Sequence, residues 1–247
     1  MKIASAQIKA SIGEMDRNAE RHYRMIDLAS ENGVDLIIFP EMSLTGYCRE
    51  EAKGLAMTQF DERLDELKKK AREGNIAIVV GAPIEMASKL YIGSFILLPH
   101  RAVKIYVKQF LHDGEERFYG SSFENNPTLQ LGDEKISFAI CADIEHDVHP
   151  QKAGETGSSI YLPSIFYSRN GIDGGIEKLS GYAEKYGLNI LMSNFCGKLW
   201  NTEAGGKSCF INRKGEVQEK LVMDAEGLLV MEKKNDQWIG SSIEVLK

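Results

Sequence analysis

The 247-residue sequence is 43% hydrophobic and 27% charged, long enough to bury a core without disulfide or metal staples. Its 36 acidic and 30 basic residues give a formal net charge of −6, and no basic stripe accompanies the aromatic residues, which argues against a nucleic-acid binder. Cys48, Cys141, Cys196 and Cys209 are scattered rather than spaced as a framework, so free thiols in a reducing cytosol are expected.

KIASAQIKA alternates Ala4, Ala6 and Ile8 against Ser5, Gln7 and Lys9, and reads as a strand rather than a signal peptide. No apolar stretch approaches the roughly 18 residues that span a bilayer, so a cytoplasmic protein without a membrane segment is expected. DRNAERHYRMIDLASENG follows as a helix, with Met25, Leu28 and Ala29 on one face and Gly33 as its stop. VDLIIFP is a strand covered on both faces, ended by Pro40, with Glu41 the first charge after it. FDERLDELKKKAREGN is a second amphipathic helix, capped by Asp61, with Leu64 and Leu67 inward and Gly74-Asn75 closing it. IAIVVGAPI is another covered strand, and KLYIGSFILLP and RAVKIYVKQF are two strands joined at Pro99-His100. KISFAICAD, GSSIYLPS, LNILMSNF, GKSCFINRKGEVQEKL and GLLVMEKK add strands, with a helix over GGIEKLSGYAEKYG. Strands and helices alternate early and strands dominate late, which predicts a layered α/β protein with a mixed sheet in one domain, residues 1–247.

Three reactive residues share one context. Glu41 follows LIIFP, Lys108 follows VKIYV and Cys141 follows ISFAI, each at the C-terminal end of a predicted strand. Open α/β sheets bind ligands beyond those ends. A thiol is mostly protonated at neutral pH, and a neighbouring carboxylate can take its proton. A lysine beside both balances the carboxylate and can hold an oxyanion when sulfur attacks a carbonyl or nitrile carbon. The set suits acyl transfer through a thioester and needs no histidine. Singly, each has a plainer reading: a strand cysteine is usually core, and a lone strand-end glutamate or lysine is usually solvated.

IIFPEMSLTGY, VKQFLHDGEERFY and FAICADIEHDVHP resemble, in order, the three signature blocks of the nitrilase superfamily, the carbon–nitrogen hydrolases. The similarity extends from KIASAQIKASIGEMDRNAERHYRMIDLA to GGKSCFINRKGEV. It implies a four-layer αββα sandwich of two mixed sheets flanked by helices, pairing as a homodimer or higher homo-oligomer through the helical layer near the cysteine. It implies a cofactor-free hydrolase of non-peptide C–N bonds in a small amide or carbamoyl substrate. On that pattern Glu41 is the general base, Lys108 the oxyanion-stabilising lysine and Cys141 the nucleophile. The Ala142 backbone N–H is the second oxyanion donor. Many members add a glutamate after the lysine; GEERFY offers Glu115 and Glu116, and Glu115 is favoured by its place after LHDG. Two departures matter. Ala142 stands where members often carry Trp or Tyr, and EHDVHP replaces a common FPE. Both leave the substrate class open. An acyltransferase on the same scaffold and a non-catalytic binding module are the alternatives.

Asn194, Phe166 and Tyr167 are candidates for the substrate pocket, although a strand-end asparagine equally often pairs with backbone and aromatic residues often simply pack. His112, His146 and His149 tempt a zinc reading, but no second tight ligand pair follows, so no metal is expected. Asp143 is expected to stabilise the turn after Cys141. Cys196 and Cys209 read as core, and Cys48, within TGYCREE, is expected at the surface.

Overall fold

The computed structural model describes residues 1–245. The first half runs β1 (Lys2–Gln7), α1 (Met15–Glu31), β2 (Leu36–Ile38), α2 (Ala52–Leu55), α3 (Asp65–Glu73), β3 (Ala77–Met86), β4 (Lys89–Leu97), β5 (Lys104–Val107), β6 (Leu129–Leu131) and β7 (Glu134–Ile140). Then follow α4 (Val148–Glu155), β8 (Ile160–Ser164), α5 (Ile172–Tyr186), β9 (Asn189–Met192), β10 (Cys196–Leu199) and β11 (Thr202–Gly205). The chain closes with β12 (Cys209–Ile211), β13 (Val217–Lys220), β14 (Gly227–Lys234) and β15 (Gln237–Glu244).

One sheet has the order β15-β14-β1-β2-β3-β4-β5 and the other β13-β12-β9-β8-β7-β6. Both are mixed: β1, β2 and β3 are parallel neighbours, as are β7, β8 and β9, and the edges are antiparallel. Helices α1 and α3 cover the first sheet, and α4 and α5 cover the second. The sheets face one another through β1 with β9, β5 with β7 and β12 with β14, giving four layers, α-β-β-α. Apolar residues fill the space between the sheets and beneath α1 and α3, and a second cluster lies under α4 and α5. Sheets covered on both faces explain the continuous apolar runs at β2, β3 and β8.

The β1 alternation does not mark a wet face. Ser5 and Gln7 are fully buried. Ser5 Oγ donates to the Met192 carbonyl at 2.8 Å, and Ser193 Oγ returns the contact to the Ala6 carbonyl at 2.7 Å. Gln7 Nε2 donates to the carbonyls of Val222 and Ala225, both at 2.7 Å, and its Oε1 accepts from Ser208 N–H at 2.9 Å. Polar side chains thus rivet the sheets, because a buried polar group without a partner is costly. Cys48, expected at the surface, is buried against Thr45 and Tyr119.

Sequence periodicity missed several elements. The edge strand β15 pairs with β14 over eight residues, but its Gly-Ser-rich, half-exposed sequence carries little strand signal. The β10–β11 hairpin turns through Trp200 and Asn201 with φ of 46° and 61°, a two-residue turn without the usual glycine.

Candidate active site

Glu41 is delivered by β2 through Phe39-Pro40. The turn after it, with Met42 at φ 51°, lies directly on β3. That approach requires Gly81, where an added Cβ would sit 2.3 Å from the Met42 nitrogen. Lys108 follows β5, with its N–H donating to the Ile92 carbonyl at 2.9 Å. Cys141 opens a 3-10 turn, Cys141–Glu145, directly after β7, and holds φ at 41°. A non-glycine residue there is strained by roughly 1–3 kcal/mol, so the turn must be held by its surroundings. Ser164 Oγ, at the end of β8, donates to the Phe39 carbonyl at 2.8 Å and so ties the end of β2 to the sheet that carries Cys141.

The three strand ends meet. Lys108 Nζ lies 2.7 Å from Glu41 Oε1 and 2.9 Å from Glu115 Oε1, and all three side chains are almost wholly buried. Glu115 also accepts from Tyr47 OH at 2.8 Å and from the His112 N–H at 2.8 Å, so its carboxylate is fixed on both oxygens. Glu116 is exposed. Of the two glutamates weighed from the sequence, Glu115 is the one that reaches Lys108. Cys141 is partly accessible and shares one cavity of about 410 Å³ with Glu41 and Glu115.

Electrostatics follow from burial and this pairing. Burial raises the Glu41 carboxyl above the ordinary range; Lys108 opposes the shift and Glu115 adds to it. Burial and the Glu41 charge push the Cys141 thiol up, against the pull of Lys108 and the Phe166 backbone N–H. Burial disfavours the Lys108 ammonium, yet Glu41, Cys141 and Glu115 together hold it above its usual range. The resting site is therefore a neutral thiol beside a basic carboxylate and a permanent cation.

A buried chain of hydrogen bonds supports the cysteine turn. Asp143 Oδ1 accepts the N–H groups of Gln109 and Phe110, both at 2.9 Å. Its Oδ2 accepts the Ile140 N–H at 2.8 Å and Tyr106 OH at 2.6 Å. One carboxylate thereby locks the residues after Lys108 to the residue before Cys141. His149 Nε2 lies 2.8 Å from Tyr106 OH and its Nδ1 2.8 Å from Tyr161 OH. With the Tyr106 proton given to Asp143, a neutral His149 donates from Nε2 and accepts at Nδ1. Burial lowers its pKa in keeping with that state.

Of the residues named for the pocket, Ala142, Phe166 and Tyr167 line the cavity and Asn194 does not. Its amide is consumed by the backbone: Oδ1 accepts from Tyr167 N–H at 3.0 Å and Nδ2 donates to Gly206 O at 2.9 Å. It braces the segment between β8 and α5 that carries Tyr167. Sequence analysis missed Tyr47, Arg49, Glu145 and Trp200 in the wall. Tyr47 and Arg49 stand in and just after the Glu41 block, the one signal that could have found them. Trp200 sits at the tip of the unforeseen hairpin. His112 borders the cavity, whereas His146 stacks on Phe110 at 3.9 Å. Among the described residues, no group of three or more His, Cys, Asp or Glu could hold a metal ion.

The sequence matches the carbon–nitrogen hydrolase family over residues 2–238. This chain belongs to the carbon–nitrogen hydrolases. Among solved structures, this carbon–nitrogen hydrolase is similar to an amidase of the nitrilase superfamily from Nesterenkonia sp. AN1. The TM-score is 0.84 at 24% identity, over 96% of this chain and 94% of that one. The similarity supports the expected αββα fold. A nitrilase from Pyrococcus abyssi is 29% identical over 147 residues, 58% of this chain and 56% of that protein. A glutamine-dependent NAD(+) synthetase from Thermotoga maritima is 24% identical over 168 residues. Those residues are 66% of this chain but 29% of that synthetase, so the similarity reaches less than a third of the longer protein.

Proposed function

We propose that this carbon–nitrogen hydrolase is a cysteine-dependent amidase acting on a small amide or carbamoyl compound through a thioester. The observation that carries the proposal is the pairing of a buried Lys108 with Glu41 and Glu115, the two carboxylates that share one cavity with an accessible Cys141. Glu41 takes the thiol proton as sulfur attacks the amide carbon. Lys108 Nζ and the Ala142 N–H hold the developing oxyanion; the first N–H groups of a helical turn have no partner within it. Glu115, fixed by Tyr47 and the His112 N–H, holds Lys108 in place. The nitrogen leaves with the proton held by Glu41, and the same carboxylate then draws a proton from the water that cleaves the thioester.

The synthetase relatives favour a second possibility, in which the amide is that of glutamine and its nitrogen is passed on. An acyltransferase would pass the acyl group to an amine or thiol instead of water. Pairing of two copies across α4 and α5 and a cytoplasmic setting belong to the same proposal. Among the described residues, no helix is long and apolar enough to cross a membrane.

Intact-protein mass spectrometry during incubation with a panel of small amides tests the scheme. An acyl adduct on Cys141 is expected, lost in Cys141→Ala, and adding hydroxylamine or amines separates hydrolysis from transfer. Normal turnover by the Ala variant would sink it.

A further inference from the structure

Arg49 stands in the cavity wall without a carboxylate of its own. Its Nε and Nη2 donate to Tyr47 OH at 3.1 and 2.9 Å, and Nη2 also reaches the Asp113 carbonyl at 3.4 Å. Its guanidinium carbon lies 4.8 Å from the centre of the Trp200 ring, within cation–π range. Nη1 makes no hydrogen bond among the described residues. Gly114 keeps the space beside it clear, since an added Cβ would sit 2.9 Å from Nη1. A guanidinium offers five N–H donors, and here a fixed fork is only partly used.

Charge pairing sharpens the point. Three carboxylates line the cavity: Glu41, Glu115 and Glu145. Glu41 and Glu115 share Lys108, and Glu145 is held by Lys178 and by Tyr167 OH. Arg49 is the wall's remaining cation, and among the described residues no carboxylate comes within ion-pair distance of it. The rest of the wall is largely aromatic, with Tyr47, Phe166, Tyr167 and Trp200. Such a cavity takes a short apolar chain with one planar anion at its far end, the geometry a guanidinium fork pairs with best.

Resting on the amidase function above, we infer that Arg49 is a specificity residue that binds a substrate carboxylate, and that the substrates are monoamides of short dicarboxylic acids. The amide reaches Cys141 while the distal carboxylate docks on Nη1 above Trp200. The competing role is purely structural: Arg49 would steady Tyr47, and through it Glu115, for any amide.

Calorimetry on the Cys141→Ala protein separates the two without turnover. Succinamate and glutaramate are compared with 4-methylpentanamide and 5-methylhexanamide, in which an isopropyl group replaces the carboxylate. An acid amide is expected to bind at least about 10-fold more tightly than its neutral counterpart, and Arg49→Gln in the same background should erase the difference while Arg49→Lys retains part of it. Equal binding of acid and neutral amides, or a preference that survives Arg49→Gln, overturns the inference. Wild-type turnover of the same compounds is scored separately: tight, Arg49-dependent binding without acylation of Cys141 would refute the amidase function and leave the binding site standing.

Discussion

Cys141 is the residue where geometry and protonation meet. Its φ of 41° turns the side chain out of the line of β7 and toward the cavity, and its thiol is held neutral at rest by burial and by Glu41. In the proposed scheme the reaction depends on Glu41 being ionised when substrate arrives. Its carboxyl is raised by burial, so the ionised fraction falls at a higher pH than for a solvated glutamate. The acid limb of kcat/KM should lie above the ordinary carboxylate range, with activity lost as pH falls through it. Glu41→Gln should lower kcat by about 10²- to 10⁴-fold and remove that limb. An unchanged acid limb in the Gln variant would assign it to another group. Cys141→Ala should leave the far-ultraviolet circular dichroism and thermal midpoint near wild type while turnover disappears.

Elements, rather than single residues, bring the charges together, and Asp143 is their clasp. It accepts four hydrogen bonds from three directions, two from the chain after β5, one from the end of β7 and one from Tyr106. Asp143→Asn presents one amide NH₂ toward donors and loses acceptors on one side. A hydrogen bond to a buried charge contributes about 1.5–3 kcal/mol, so urea denaturation should show a loss of that order. Because the clasp sets Lys108 against Cys141, kcat on every amide should fall in proportion, with little change in KM. A purely structural loss would lower stability and leave kcat of the folded fraction intact.

This clasp also marks how much the sequence disclosed. Glu41, Lys108 and Cys141 were visible because each closes an apolar run at a strand end, and ordered blocks linked them. Glu115 was visible only as one of two neighbours, since the choice depends on which of them turns inward. Apart from the Ile140 N–H, three residues before Asp143, the partners that give Asp143 and Asn194 their hydrogen-bond roles lie 12 to 37 residues away, and no local pattern encodes those pairings. Likewise β1 looked half-solvated because Ser5 and Gln7 are polar, and only the second sheet reveals why polar groups are needed there. The β15 edge and the β10–β11 tip lack apolar periodicity because each has at least one exposed side.

Across the whole molecule, each helical layer carries one buried histidine that burial keeps neutral, and the pair should make folding sensitive to acid. His149 stands on the buried face of α4 and reaches Tyr161 of β8, and His22 fixes α1 to the first sheet. His22 Nδ1 lies 2.7 Å from the Asn18 carbonyl, so it carries the proton, and Nε2 accepts from Ser43 Oγ at 2.9 Å. The ring also lies 4.2 Å from that of Phe39, one residue before Pro40 and two before Glu41. Burial, partly opposed by the Asn18 carbonyl, lowers the His22 pKa from 6.5 to about 4. Between those values the unfolded chain binds the proton and the folded chain does not. Stability should therefore be fully present above about pH 6.5 and should fall as pH drops toward 4. From His22 alone the loss at pH 5 is about 2 kcal/mol, and His149, also lowered by burial, adds in the same direction. Glu41 acts oppositely, because a raised carboxyl relieves strain when it takes up a proton in the fold. Urea midpoints at pH 7.5 and pH 5 measure the sum. The wild-type protein should be less stable at pH 5, and His22→Gln, which cannot charge, should lose most of that difference while starting from a lower stability at pH 7.5. Equal acid sensitivity in the two proteins would mean that His22 is already protonated in the fold, and that its contacts with Asn18 and Ser43 differ from those described.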